Sequence, residues 1–311
     1  MTAVVVVNWN SGKFLRTCVD SLFAANPGVE VAVIDNASSD GSLETLDDLR
    51  DRIHVVRNSS NRGFAAAVNQ GFASTTSPYV LVLNPDVRVL PHAVARLEAA
   101  LTDDPEIAAA GGYVNDKYLP RPLPTPGSLA LENLGLATPA LRATLPWRGE
   151  NRKLPVRAGP GIASQEFHLR LKGGGAKRRV GLTVDQPAAA ALMIRRDAHE
   201  AIGGFDERFV PAWYEDVDFC KRLKEAGWEI CFDPEARFEH SGGYSAEALG
   251  TKAFAEAYYR NQLRYAIKHF GARGRFAVRM SMVFGMLLRM VSRPGQAAAY
   301  ASVVRGALGG W

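Results

Sequence analysis

Only three cysteines occur among 311 residues, Cys18, Cys220 and Cys231, too few and too scattered for a disulfide framework or a zinc knuckle. An odd count suits a reducing compartment, and all three read as core filler. No window of 18 uncharged apolar residues exists, so no spanning helix is expected; the nearest approach, 276–291, is broken by Arg279 and Arg289. A strand pattern begins at Thr2 without the basic start and cleavage site of a secretion signal, which predicts a cytoplasmic protein. There is no internal repeat. The G-x-G-x-x-G of a nicotinamide dehydrogenase is missing after the first strand, as are a P-loop and the Gly-rich basic loop of a nucleotidyltransferase. Nucleic-acid signatures are absent too: no basic helix-turn-helix, zinc pattern or RNP-type aromatic strand accompanies the net charge of +5, and no nucleic-acid partner is expected.

What is present is the balance of a chain with a large core, 47% hydrophobic and 22% charged, enough for one large domain or two fused halves. The charge is unevenly spread. Residues 1–141 carry 10 basic and 15 acidic side chains, 142–180 carry 10 and 2, 181–250 carry 7 and 14, and 251–311 carry 10 and 1. Two basic segments on an acidic body point to a polyanion or an anionic membrane surface, with solvated basic loops as the plainer explanation.

Short β-branched runs alternate with helical patterns in the first third. Strands are predicted at 3–7, 29–34, 53–56, 79–83 and 107–110, and helices at 13–25, 65–73 and 91–101, the last opening on Pro91. Continuous apolar strands such as Val4 to Val7 belong in a sheet covered on both faces, so the fold class is α/β. The stretch 114–184 is rich in Pro, Gly and Arg and reads as a variable insert, a lid or binding surface. Periodicity resumes over 185–250, and 251–311 reads as basic amphipathic helices.

Ligands in such sheets bind beyond the carboxyl ends of the strands. There the sequence places Asn8-Trp9-Asn10-Ser11-Gly12, then Asp35-Asn36-Ala37-Ser38-Ser39-Asp40-Gly41, then Asn84-Pro85-Asp86. Any one cluster is an ordinary turn. Three at consecutive strand ends point to a nucleotide site. With Asn61-Arg62-Gly63-Phe64 running on to Asn69, and with Gly203-Gly204-Phe205-Asp206, Tyr214-Glu215-Asp216-Val217-Asp218 and His240-Ser241-Gly242-Gly243, the ordered motifs resemble family 2 glycosyltransferases. Within that family the chain looks most like rhamnosyltransferase-type members that build bacterial surface polysaccharides. The match covers about 3–113 and 184–270.

The resemblance implies a GT-A fold, a Rossmann-like mixed sheet flanked by helices, here with a C-terminal helical extension. Residues 1–113 would be its nucleotide-sugar half and 185–250 its acceptor and catalytic half. It implies inverting transfer from a nucleotide-diphosphate sugar, with dTDP-rhamnose favoured and UDP-sugars behind it, to a glycan or polyprenyl-diphosphate-linked glycan. Asp35 would accept from the base, with Asn8, Asn10, Asn36 and Ser38 beside it. Arg62, Gly63 and Asn69 would face the ribose and diphosphate. Asp86, with Asn84 where an Asp-x-Asp motif has its first acid, and His240 would ligate Mg or Mn. Asp216 would be the base and Glu215 the runner-up, binding an acceptor hydroxyl, while Trp213 and Tyr214 could stack on a sugar face. Asp218 is predicted to make a surface pair with Arg222. A non-catalytic sugar-nucleotide-binding scaffold is the rival from another class.

In the tail, Arg275, Arg279, Arg289 and Arg293 share one helical stripe about 80° wide, with apolar residues over the rest. That pattern predicts peripheral attachment to the cytoplasmic face of the inner membrane. Packing on the core or on a second subunit, which would make a homo-oligomer, is the competing explanation.

Overall fold

The computed structural model of the protein describes residues 2–115, 118–136, 181–241 and 244–311, the last stretch with side chains from 247. The basic lid expected at 142–180 lies outside them.

β-Branched runs build the centre of the sheet. β1 (Thr2–Asn8), β2 (Glu30–Asp35), β3 (His54–Arg57) and β4 (Tyr79–Leu83) pair in parallel in the order β3-β2-β1-β4. β1 is buried along its whole length. Val4 and Val6 face the cluster under α1 (Phe14–Ala25) and α3 (Ala93–Asp103), whereas Val5 and Val7 face the one under α2 (Phe64–Ala73). This is the two-residue period of a strand between two layers. α2 lies so close to β1 that a Cβ on Gly71 would stand 2.3 Å from Val5 Cγ1, so only glycine fits.

Past β4 the sheet becomes mixed. β8 (Ala191–Arg195) runs antiparallel to both β4 and β6 (Ile107–Tyr113). β9 (Glu229–His240) lies parallel to β6 and antiparallel to β5 (Val87–Val89) and to the short β7 (Leu182–Thr183). The strand order β3-β2-β1-β4-β8-β6-β9-β5 therefore threads strands of the second half between strands of the first. α4 (Pro126–Asn133), α5 (Arg196–Ala201) and α6 (Glu215–Glu225) cover this part, and α7 (Tyr244–His269), α8 (Ala272–Ser292) and α9 (Ala297–Gly309) form a helical extension around Leu263, Met282, Met286 and Val303.

Two expectations need correcting. The third helix starts at Ala93, because His92 takes a left-handed φ of 67°, which leaves Pro91 outside the helix. The tail is also turned the other way. Arg289 donates to the main-chain carbonyls of Glu132 and Asn133 and closes the end of α4, while Val278, Met282 and Met286 pack inward. Outward stand Phe276, Phe284, Leu287, Leu288 and Val291. Arg289 satisfies two end-of-helix acceptors there, so it is withdrawn from any surface role.

Candidate active site

The parallel register of β1 and β2 sets Asn8 opposite Asp35 at the carboxyl ends of both strands. The Asn8 side-chain amide donates to Asp35 Oδ1 at 2.8 Å and to Ser38 Oγ at 3.0 Å, and Ser38 N donates to Asp35 Oδ2 at 3.2 Å. Asn10 N donates to Ser38 Oγ at 2.9 Å, and Ser39 N to Asn10 Oδ1 at 2.8 Å. Asn10 and Ala37 both have left-handed φ, 48° and 60°, conformations kept only where the surroundings enforce them. Asn8 is fully buried and its amide is used up, so it orients Asp35 rather than meeting a ligand itself. Asn36, 2% exposed, is likewise occupied, donating to Gly63 O and accepting from Asn58. Each Asp35 oxygen keeps a free lone pair for an outside donor.

Asp86 and His240 meet through strand pairing. β5 and β9 place Val87 against His240, Ser241 N donates to Asp86 O at 3.2 Å, and His240 Nε2 comes to 3.0 Å from Asp86 Oδ1. Asn84 sits at the end of β4, its N–H donating to Ala190 O at 3.0 Å. Among the described residues no three His, Cys, Asp or Glu side chains converge as a complete metal cage. A carboxylate and an imidazole nonetheless fit two adjacent corners of an octahedral ion: ligands at about 2.1 Å and at right angles stand about 3.0 Å apart.

The catalytic candidates open α6. Trp213 and Tyr214 have φ of 73° and 71°, a pair of left-handed residues that turns the chain into the helix. Glu215 and Asp216 lie inside the first turn rather than ahead of it, where free N–H groups and the helix dipole favour negative charge. Val217 N donates to Asp216 Oδ1 at 2.8 Å. Glu215 is 6% exposed with Oε2 unpartnered; burial first, and then the charge of Asp216, push its carboxyl well above the usual range. Burial also raises Asp216, opposed by the Val217 and Asp216 N–H groups and by Arg121. Burial thus works against charge on both carboxyls, and at Asp216 the helix-start N–H groups and Arg121 oppose it.

This turn is held from both sides. Phe64 N donates to Pro211 O at 2.7 Å, and Gly63, at φ 88°, passes so close that a Cβ would stand 3.1 Å from Pro211 O. The loop carrying Arg62 and Gly63 therefore abuts the loop that feeds Glu215. From α7, Asn261 donates to Ala212 O and Val210 O, and Gln262 to Tyr214 Oη at 3.0 Å.

Three further positions depart from expectation. Tyr214 is 6% exposed and packs with Tyr258 and Tyr265, so it offers no face to a sugar, whereas Trp213 is half-buried with its ring edge-on to Phe254. Asn69 is not gathered with the strand ends: its amide donates to Phe205 O and Glu207, and its oxygen accepts from Phe205 N and lies 3.2 Å from His199 Nε2. Asp218 does pair with Arg222, at 2.7 Å, but it is fully buried and also meets Lys268 and His269 at 2.7 Å. Desolvation would raise its pKa, yet His269, Lys268 and Arg222 outweigh it and hold it below the ordinary value. Asp218 fastens α6 to α7. Sequence reasoning missed Asn261, Gln262 and Arg121, which lie in a helix and an insert without motif signals. Arg62 is half-exposed, 3.9 Å from Glu207.

The sequence pattern of glycosyl transferase family 2 matches residues 3–162. N-acetylglucosaminyl-diphospho-decaprenol L-rhamnosyltransferase of Mycobacterium tuberculosis is 26% identical over 93% of this chain and 95% of its own. Among solved structures, a mannosyltransferase from Pyrobaculum calidifontis in complex with GDP-Man and Mn2+ is 15% identical, with a TM-score of 0.55 over 100% of this chain and 75% of its own. GalNAc-T7 with UDP, GalNAc and Mn2+ aligns at 15% identity and a TM-score of 0.56 over 94% of this chain and 57% of its own. These similarities place the architecture among GT-A folds.

Proposed function

The chain belongs to glycosyl transferase family 2, and from that premise we propose that this glycosyltransferase moves rhamnose, with inversion, from dTDP-rhamnose to a polyprenyl-diphosphate-linked glycan. The sugar moved and the acceptor are supported by the name of the mycobacterial relative, the dTDP carrier by the motif resemblance, and the mechanism by the turn that opens α6.

In-line displacement forms a bond from the acceptor oxygen to the anomeric carbon while the bond to the diphosphate oxygen breaks and its electron pair leaves with the nucleoside diphosphate. Asp216 takes the acceptor proton as attack proceeds. Glu215, whose carboxyl burial pushes well above its ordinary value, can in its neutral form donate a hydrogen bond without placing a second negative charge beside the base. Asp35, aimed by Asn8 and Ser38, accepts from the pyrimidine base. Asp86 and His240 would hold a divalent cation, Mg or Mn, and such an ion would supply positive charge against the departing diphosphate. Gly63 and Phe64 bring the loop that carries Arg62 against Pro211, in the turn that leads to Asp216.

The observation that carries this reading is the placement of Glu215 and Asp216 side by side in the first turn of α6, entered through a loop braced against Gly63 and Phe64. Its test is acceptor-dependent release of nucleoside diphosphate from a panel of dTDP- and UDP-sugars with Mg or Mn. Release from dTDP-rhamnose that Asp216→Asn abolishes is expected. Equal rates in that variant would remove Asp216 as base, and binding without turnover of any donor would favour the scaffold reading.

A further inference from the structure

We propose that the outward face of α8 is a membrane-docking surface that inserts apolar side chains into an anionic lipid bilayer, which deepens the lipid-linked-acceptor reading above. Phe276, Phe284, Leu287, Leu288 and Val291 are 46–84% exposed. On a helical wheel with Arg279 at zero they fall between about 60° and 180°, one continuous stripe opposite the buried Val278, Met282, Gly285 and Met286. A soluble helix presents polar residues there; five large apolar ones on one stripe between Phe276 and Val291 need a partner.

Charge identifies that partner. Arg273 lies within the stripe at its amino-terminal end and Arg293 follows the helix at the other, both exposed. No Asp or Glu follows Glu256, so the last 55 residues carry positive charge alone. A cleft beside the stripe, of about 240 Å³, has Leu134, Leu288 and Arg293 in its lining, an apolar wall with an exposed guanidinium suited to the boundary between acyl chains and phosphate headgroups. No helix among the described residues is long and apolar enough to cross a membrane, so attachment would be along the surface.

The placement suits the reaction. The inner face of α8 contributes Val278 to the same apolar cluster as Tyr214 and Val217. A docked α8 therefore sets the catalytic turn about one helix diameter, roughly 10 Å, from the bilayer.

The test is sedimentation of the full chain with vesicles of phosphatidylcholine alone and with added phosphatidylglycerol, beside the variants Phe284→Glu/Leu288→Glu and Arg273→Gln/Arg293→Gln. Binding to the anionic vesicles is expected, weakened on the order of tenfold or more by the glutamates. The glutamine pair should erase most of the preference for phosphatidylglycerol. Turnover with a short-chain, water-soluble acceptor should be unchanged in both variants, so loss of membrane binding is read apart from loss of transferase activity. Unaltered vesicle binding in the glutamate variant overturns the proposal. So does a dimer in solution that the same variant splits, since a second copy would then own the face.

Discussion

Asn261 on α7 donates its side-chain amide to the carbonyl of Ala212 at 2.8 Å, three residues before Glu215. The residue is fully buried, and its second contact is Val210 O. Ala212 O, in the loop that enters α6, thus depends on an amide from the C-terminal extension, while Val210 O also accepts from Arg260 at 2.6 Å. Asn261→Ala removes that donor from Ala212 O, at a cost of about 1–3 kcal/mol in stability. Because the loop sets the position of Asp216, kcat should fall by roughly tenfold to a hundredfold while donor affinity holds. Donor-binding stoichiometry distinguishes this from general unfolding, which would lower the fraction of chains that bind donor as well as the rate.

Asp216→Asn should reduce acceptor-dependent turnover by about 10²–10⁴-fold, the usual contribution of a general base. Glu215→Gln should cost less, since the amide reproduces a neutral hydrogen-bonding carboxyl. In wild type the acid limb of kcat/KM should lie above the ordinary Asp value of about 3.9, because burial raises Asp216. A pH–rate profile without that displacement would contradict the assignment.

Either Asp86→Asn or His240→Ala should raise the Mg or Mn concentration needed for half-maximal rate, with saturating metal restoring part of the activity. Chelation of wild type should stop turnover reversibly. Full chelator resistance would show that the 3.0 Å pair serves structure only.

Acid stability should depend on His199. It stacks on Phe72 with ring centres 3.7 Å apart, and burial, then Arg196 and Arg222, lower its pKa to about 4. Between about 6.5 and 4 the unfolded chain binds a proton that the folded chain refuses, so stability is lost as pH falls through that window, by at most about 3 kcal/mol. His199→Gln should flatten the dependence of Tm on pH there; an unchanged slope would place the sensitivity elsewhere.

Strand positions were legible because β1, β2 and β4 are apolar runs whose burial needs no tertiary information, and Asn8, Asp35 and Asp86 were found because polar residues end them. The partnership of Asp86 with His240 came from motif resemblance; nothing in their spacing of 154 positions predicts it, and the β5–β9 register supplies it. Tyr214 misled because an aromatic next to an acid pair reads equally well as a sugar platform and as core. The tail misled for a different reason: helical periodicity separates faces without saying which one meets the protein, and Arg289 turned inward to close α4.

The interleaving of β8 between β4 and β6 limits how specificity can be re-engineered. Donor and acceptor preferences cannot be exchanged by joining the first third of one homologue to the rest of another, because such a crossover severs the ladders on both edges of β8. Recombination must instead graft the loops at strand ends, one at a time, onto an undivided sheet.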